Sequence, residues 1–494
     1  MEDKIKRIIW AVGLTMLVVI LLVPYAKNGF WFDDTLNSQT WGMVNRFDTT
    51  LWSFSVRVIR AWLVDYGRFI LCWPALYGFF YLARDVMTAR LIDIGLLITH
   101  IALMVWLLRR LHMQWRAVGI FLLFLFPLFQ IRDTEDPIAA FATFSQMLGI
   151  ALTISLLLLQ RWRETGVTGW LLASSLLATV SMMSYEINSV YVPIALLAVY
   201  VARRRVVRNA IIVLLPFACF VVASLVLKHG ATKIYEGSKF GTVAAIPATY
   251  LKQLFAALPG SFYAINGRNE IPITDLFHLA AGSRLAWAIA ILWIVLFIAA
   301  SRSTSSVRDW PRSAVLVVAT SLLLVPPALI AMSARYQSYV SWGAGHIMVY
   351  YEYFGLAILG ATAIDHLISK RVSWLVWVVT IAFFVYAPLN WVMNMHQSSK
   401  LDATFREPRD SLVTALHNGL FDGVRDGDIV RIENQPMFIN GNLIYQAIRK
   451  NVSIPNELAI AGWFENPPRT GAHEFRLVRS DSLGHPWALI PVGQ

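Results

Sequence analysis

The sequence predicts a polytopic α-helical membrane protein of about 11 transmembrane helices with a small soluble α/β domain at its C-terminal end. Three observations carry this. The 494 residues are 57% hydrophobic and only 15% charged, with a mean hydropathy of +0.57, whereas soluble domains are about a quarter charged. Apolar runs of roughly 18–22 residues recur, the length a helix needs to cross a bilayer, and lipid forces such backbone into closed helices. From residue 393 the runs give way to short alternating segments.

Residues 8–25 form the first expected span, and Lys4, Lys6 and Arg7 before it set the N-terminus on the cytoplasmic side. A basic start followed by an apolar run also fits a signal peptide. This run is long and lacks a small-x-small cleavage site, so an uncleaved span is expected. Residues 27–87 follow on the outside, rich in Trp, Arg and Asp, and read as interfacial amphipathic helices. Within them, 66–85 (YGRFILCWPALYGFFYLARD) is apolar enough to span. Counting it would place RRLHMQWR (109–116) outside, against the charge rule, so a re-entrant or interfacial segment is expected.

The second span is 88–108, the third 115–131, the fourth 138–160, the fifth 168–184 and the sixth 187–202. The seventh, 209–227, leads to an outside loop over 228–282 that has no long apolar run. Spans 283–301, 313–332, 347–364 and 373–392 complete the eleven, and every inside loop carries at least two Lys or Arg. The net charge of +12 therefore marks cytoplasmic loops and not a nucleic-acid partner. Cys72 and Cys219 lie far apart in apolar surroundings and read as buried space-fillers, not a disulfide. No zinc-ligand spacing occurs. In 393–494, GDIVRIEN, EFRLVRS and WALIPV alternate as strands between Gly, Asn and Pro punctuation. No internal repeat is visible.

The unusual polar residues sit at the ends of odd-numbered spans. Asp33 and Asp34 follow the first; Arg132, Asp133, Glu135 and Asp136 the third; Tyr185 and Glu186 the fifth; Arg335 and Tyr336 the ninth. Each has a plainer reading too. Asp34 fits an N-cap, Asp136-Pro137 a cap with proline in the first turn, Glu186 a partner for a loop arginine, and Arg335 a snorkelling cation. Their convergence at one membrane surface suits sugar transfer from a lipid-linked phosphate. A carboxylate there deprotonates the acceptor hydroxyl, and arginine stabilises the departing phosphate.

An acidic pair after the first span, an amphipathic outside region and charged exits after later odd spans resemble the C-type (GT-C) integral-membrane glycosyltransferases. FDD (32–34) resembles their first acidic motif, RDTEDPIAAF their second acidic loop, and ARYQ (334–337) their late Arg-Tyr element. DYGRF (65–69) is similar to the Gly-Arg element of the serotype-converting O-antigen glucosyltransferase group. The resemblance covers roughly residues 1–390. It implies that Asp33 or Asp34 is the general base, that Asp133 or Asp136 positions substrate, and that Arg335 and Tyr336 contact the phosphate. Arg68 and Glu186 follow as further substrate contacts. It also implies inverting transfer from a polyprenyl-phosphate sugar donor to a cell-envelope glycan or lipid acceptor, in the bacterial inner membrane. The eleven-span count itself places the C-terminal domain on the periplasmic or extracellular side. No bound cofactor is required, although clustered carboxylates are compatible with a divalent cation. Where protein-mannosyltransferase relatives carry a His-Pro-Pro stretch this chain has GRFILCWP, which speaks against a protein acceptor.

Two other classes compete. A lipid-linked-glycan flippase would want charges at mid-span, whereas the spans read as clean. An O-antigen polymerase or ligase would lean on Arg and His in a late outside loop; WGAGHIMVYYEYF, with His346 and Glu352, keeps that reading open.

Overall fold

The computed structural model describes residues 2–492 apart from 32–33, 35–36, 39, 42–43, 45–48, 84, 133–134, 142, 234, 303–311, 426–427, 434–472 and 480–486. Asp33 and Asp133 lie outside the described residues. The chain is mostly helical: α1 (Glu2–Lys27), α2 (Leu51–Asp65), α3 (Trp73–Leu82), α4 (Val86–Arg110), α5 (Trp115–Leu128), α6 (Phe144–Thr165), α7 (Thr168–Met182), α8 (Tyr191–Ala202) and α9 (Val206–Gly230). It continues as α10 (Ile246–Ala256), α11 (Ser261–Ile265), α12 (Ile273–Gly282), α13 (Arg284–Arg302), α14 (Arg312–Met332), α15 (Ala334–Tyr339), α16 (Val349–Ser369), α17 (Ser373–Leu401) and α18 (Glu407–His417). Among the described residues, seven helices are long and apolar enough to cross a membrane.

Each of the eleven apolar runs is a helix. Four of them fall outside the seven: α5, α7 and α8, with 14, 15 and 12 residues, and α16, which buries Glu352 and Asp365. α3, at 10 residues, is about 15 Å long, half the hydrocarbon thickness. The expected span 138–160 begins only at Phe144: the Asp136 carboxylate holds the preceding residues in a turn, and Thr143 takes a left-handed φ of 69°. The last apolar run continues past 392 as one helix to Leu401.

The chain divides into two compact units: 1–26, 60–72 and 92–398 form the first, and 27–59, 73–91 and 399–494 the second. In the first, α16 packs between α14 and α5, α6 pairs with α7, and α10 lies on α14. Proline occurs inside α5, α9 and α14. In α5 the Leu123 carbonyl that Pro127 leaves without its helix donor accepts instead from Trp293 Nε1 on α13 at 2.9 Å. Asn390 Nδ2 donates to the helix-end carbonyls of Pro127 and Phe129, both at 2.9 Å.

The second unit holds a three-stranded sheet, β1 (Ile429–Glu433), β2 (Glu474–Arg479) and β3 (Trp487–Val492). β1 and β2 run parallel, β2 and β3 antiparallel, and all three coincide with the alternating segments of the sequence. α18 covers the sheet: Leu412, Leu416, Val430, Leu477 and Trp487 share one apolar cluster, and Trp487 Nε1 donates to Ser411 Oγ at 2.8 Å.

Candidate functional site

In the first unit the chain leaves α2 and turns at Gly67, whose φ is +60°. A Cβ there would lie 2.6 Å from the Leu227 carbonyl oxygen, so both the conformation and the close approach require glycine. The turn delivers Arg68. Its Nη2 lies 3.2 Å from Glu186 Oε2, and its guanidinium stacks over Tyr185 at 5.2 Å and Tyr235 at 4.8 Å. Burial alone would lower the Arg68 pKa, but Glu186 and the surrounding tyrosines outweigh it and raise it.

α15 is pinned beside this group by backbone pairing: Ala334 N donates to Lys239 O at 2.9 Å, and Gly241 N to Met332 O at 2.8 Å. Arg335 stays exposed, its guanidinium 5.8 Å from the Tyr235 ring centroid. Tyr336 turns inward. Its hydroxyl lies 3.3 Å from that of Tyr185, and its ring centroid 4.2 Å from that of His346. Burial raises the pKa of both phenols, so they act as neutral hydrogen-bonding groups.

His346 is placed by the loop before α16. Gln253 on α10 accepts from the His346 backbone N at 2.8 Å and donates to Glu352 Oε1 at 2.8 Å. Arg132, fully buried, donates to the carbonyls of Ala344 and Ala256 and to the Tyr353 hydroxyl. Gly345 has φ +66°, and a Cβ on it would sit 2.6 Å from the Ala256 Cβ. His346 Nε2 then lies 3.0 Å from Glu135 Oε2, while Nδ1 is buried with no hydrogen-bond partner among the described residues. Burial first, then Arg335 and Arg68, push its pKa down to about 3, so the ring is neutral near pH 7. Glu135 has φ +47°, a region non-glycine residues rarely visit and one that clusters at functional sites.

Of the sequence candidates, Arg68, Glu135, Tyr185, Glu186, Arg335, Tyr336 and His346 thus form one contiguous group in the first unit. Asp136 is occupied otherwise. Its carboxylate accepts from the backbone N of Arg132 (3.1 Å), Ile138 (2.8 Å) and Ala139 (2.6 Å), the arrangement of a turn cap. Burial raises its pKa despite those donors.

Asp34 belongs to the second unit and is buried. Its Oδ2 lies 3.8 Å from Arg90 Nη1, and the same guanidinium donates to the carbonyls of Asn28 (3.2 Å) and Gly29. Asp34 sits in a helical turn, with Ser38 N donating to its carbonyl at 2.9 Å.

Several contributors escape the sequence reading. Tyr235 lies in the patternless 228–282 loop. α4 is not a clean span either: it buries Arg90, Asp93 and His100. Asp93 accepts from Thr143 N at 2.7 Å, and His100 contacts the Tyr350 hydroxyl at 2.7 Å and Thr153 Oγ1 at 3.2 Å. Cys219 is exposed on α9, not buried, and both cysteines are free. Among the described residues no three His, Cys, Asp or Glu side chains converge as a metal site; Glu135, the acid of the cluster nearest His346, faces that ring.

No protein-family model and no curated protein matches the sequence. Among solved structures, the chain is similar to the crystal structure of ArnT from Cupriavidus metallidurans bound to undecaprenyl phosphate, at 13% identity over 98% of both chains with a TM-score of 0.42.

Proposed function

We propose that this chain is a membrane glycosyltransferase of the GT-C type. It moves a sugar from a polyprenyl-phosphate donor to a cell-envelope glycan or lipid acceptor at the outer face of the bacterial inner membrane, with inversion. The observation that carries the reading is the Arg68–Tyr185–Tyr235–Tyr336–Arg335 group beside Glu135 and His346. Guanidiniums steadied by aromatic faces, with neutral phenols around them, suit a phosphate whose negative charge grows as it leaves.

In the reaction, the acceptor hydroxyl oxygen attacks the anomeric carbon, its proton passing to a carboxylate. The bond from that carbon to the phosphate oxygen breaks, and polyprenyl phosphate leaves with the electron pair. The sequence pattern assigns the proton to the Asp33–Asp34 pair. Asp34 is engaged by Arg90, so Asp33 takes the proton and Asp34 holds its turn in place. No step is routed through a cation, and assay with and without EDTA tests that. Membrane lipids and the donor are the partners, with no role for nucleic acid. The N-terminus faces the cytoplasm and residues 393–494 the outside.

Reconstituted protein supplied with polyprenyl-phosphate sugars and envelope glycan tests the reading. Transfer should disappear in Asp33→Asn. Full activity of the Asp33→Asn/Asp34→Asn double variant sinks the aspartate base.

A polymerase- or ligase-type enzyme is the second reading, favoured by the neutral His346, whose Nδ1 has no hydrogen-bond partner among the described residues. Release of polyprenyl diphosphate, with activity lost in His346→Gln and kept in Asp33→Asn, would select it.

A further inference from the structure

At the basic end of the first unit, where α4 and α6 finish and α7 begins, lies a cleft of about 290 Å³. Ile154, Leu157 and Leu158 of α6 form its apolar wall. From Ile154 to Glu164 the lining follows α6 for about 15 Å at 1.5 Å per residue; its apolar wall, Ile154 to Leu158, takes about 6 Å of that and the remainder is the polar mouth. An apolar recess directly beneath a charged mouth suits the first part of an acyl chain below its headgroup better than a wholly polar ligand.

The mouth carries an excess of positive charge. Arg110 and Arg161 both reach the same Glu164 Oε2, at 3.4 and 3.7 Å. Gln160 takes the other carboxylate oxygen at 3.3 Å and accepts from Arg163 at 3.2 Å. The two guanidiniums that line the cleft therefore share one carboxylate, which leaves its mouth with one positive charge in excess. Trp106 and Trp170 flank the opening, 52% and 40% exposed, as aromatic residues do at the headgroup level.

We infer that this cleft binds one anionic diacyl glycerophospholipid, with an acyl chain entering along α6 and the phosphate on the solvent-facing sides of Arg110 and Arg161, which are 44% and 51% exposed. The occupant follows from the pairing of an apolar wall with a net-positive mouth, which a zwitterionic lipid complements less well. The site is separate from the Arg68–His346 cluster and stands whether or not the proposed transferase reaction does.

The test uses the full chain in detergent, titrated with dioleoyl phosphatidylglycerol or dioleoyl phosphatidylcholine and read by native mass spectrometry. One phosphatidylglycerol should bind saturably, ahead of phosphatidylcholine. At about 1 kcal/mol per guanidinium, Arg110→Gln/Arg161→Gln should weaken it about thirtyfold. Leu157→Trp, which fills the cleft and leaves the charges, should also lose the adduct, with folding checked by thermal melting. Equal binding of both lipids, an undiminished adduct in the arginine double variant, or a protein dimer that covers the cleft without lipid would overturn the assignment.

Discussion

Asp34 faces Arg90 across 3.8 Å, and the two side chains are only 1% and 2% exposed. A buried ion pair of this kind contributes little net stability over an apolar pair, but breaking it from one side is costly. Arg90→Ala should therefore destabilise the protein by about 3–5 kcal/mol, because it strands a carboxylate. Asp34→Asn should cost less, since Arg90 keeps the Asn28 and Gly29 carbonyls. A double-mutant cycle in chemical denaturation measures the coupling; additive single effects would show that the pair is not one unit.

Arg68 is held by stacking as well as charge, so Arg68→Lys should behave nearly like Arg68→Ala, because an ammonium cannot reproduce the planar stack. Either should lower transfer by about 10²-fold, the usual effect of removing one group that stabilises developing negative charge. Glu186 is 47% exposed, so Glu186→Gln should cost under about 1 kcal/mol in stability. Steady-state kinetics with the two arginine variants checks the first expectation, and lysine rescue would refute the stacking argument.

His346 has a folded-state pKa near 3, below the ordinary 6.5. Between those values the unfolded chain binds a proton that the folded chain refuses. The neutral ring's contribution is thus complete above about pH 6.5 and falls away as pH drops toward 3. His346→Gln should flatten the rise of melting temperature between pH 4 and 6.5 relative to the parent protein. Parallel curves would mean that the imidazole titrates normally.

Gly345→Ala places a methyl group in a left-handed residue, costing about 1–2 kcal/mol, and drives it 2.6 Å from the Ala256 Cβ. Melting temperature should fall, and activity more than stability, because the loop carries His346. Gly230→Ala, whose Cβ meets nothing within 4 Å, is the control.

Apolar runs and strand alternation are local signals, so a helix at each of the eleven apolar runs and the three strands among the described residues could be read from the sequence. Element ends depend on single contacts elsewhere, such as the Asp136 carboxylate that delays α6 to Phe144. The seven clustered candidates were visible because each stands at the end of an apolar run or next to a glycine. Tyr235 has no such marker, and its role exists only through Arg68 and Arg335. Asp93 and His100 were hidden by averaging: α4 has a mean hydropathy of 2.2 over an 18-residue window, which two polar side chains barely dent.

The Arg132 guanidinium also has a history in time. Its partners Ala256, Ala344 and Tyr353 follow it by 124, 212 and 221 residues. At the usual 5–20 residues per second of synthesis, the last arrives roughly 10–45 s after Arg132. Through that interval the nascent chain carries a cation whose final partners do not yet exist, so the exit of α5 is among the early parts made and among the last to be locked.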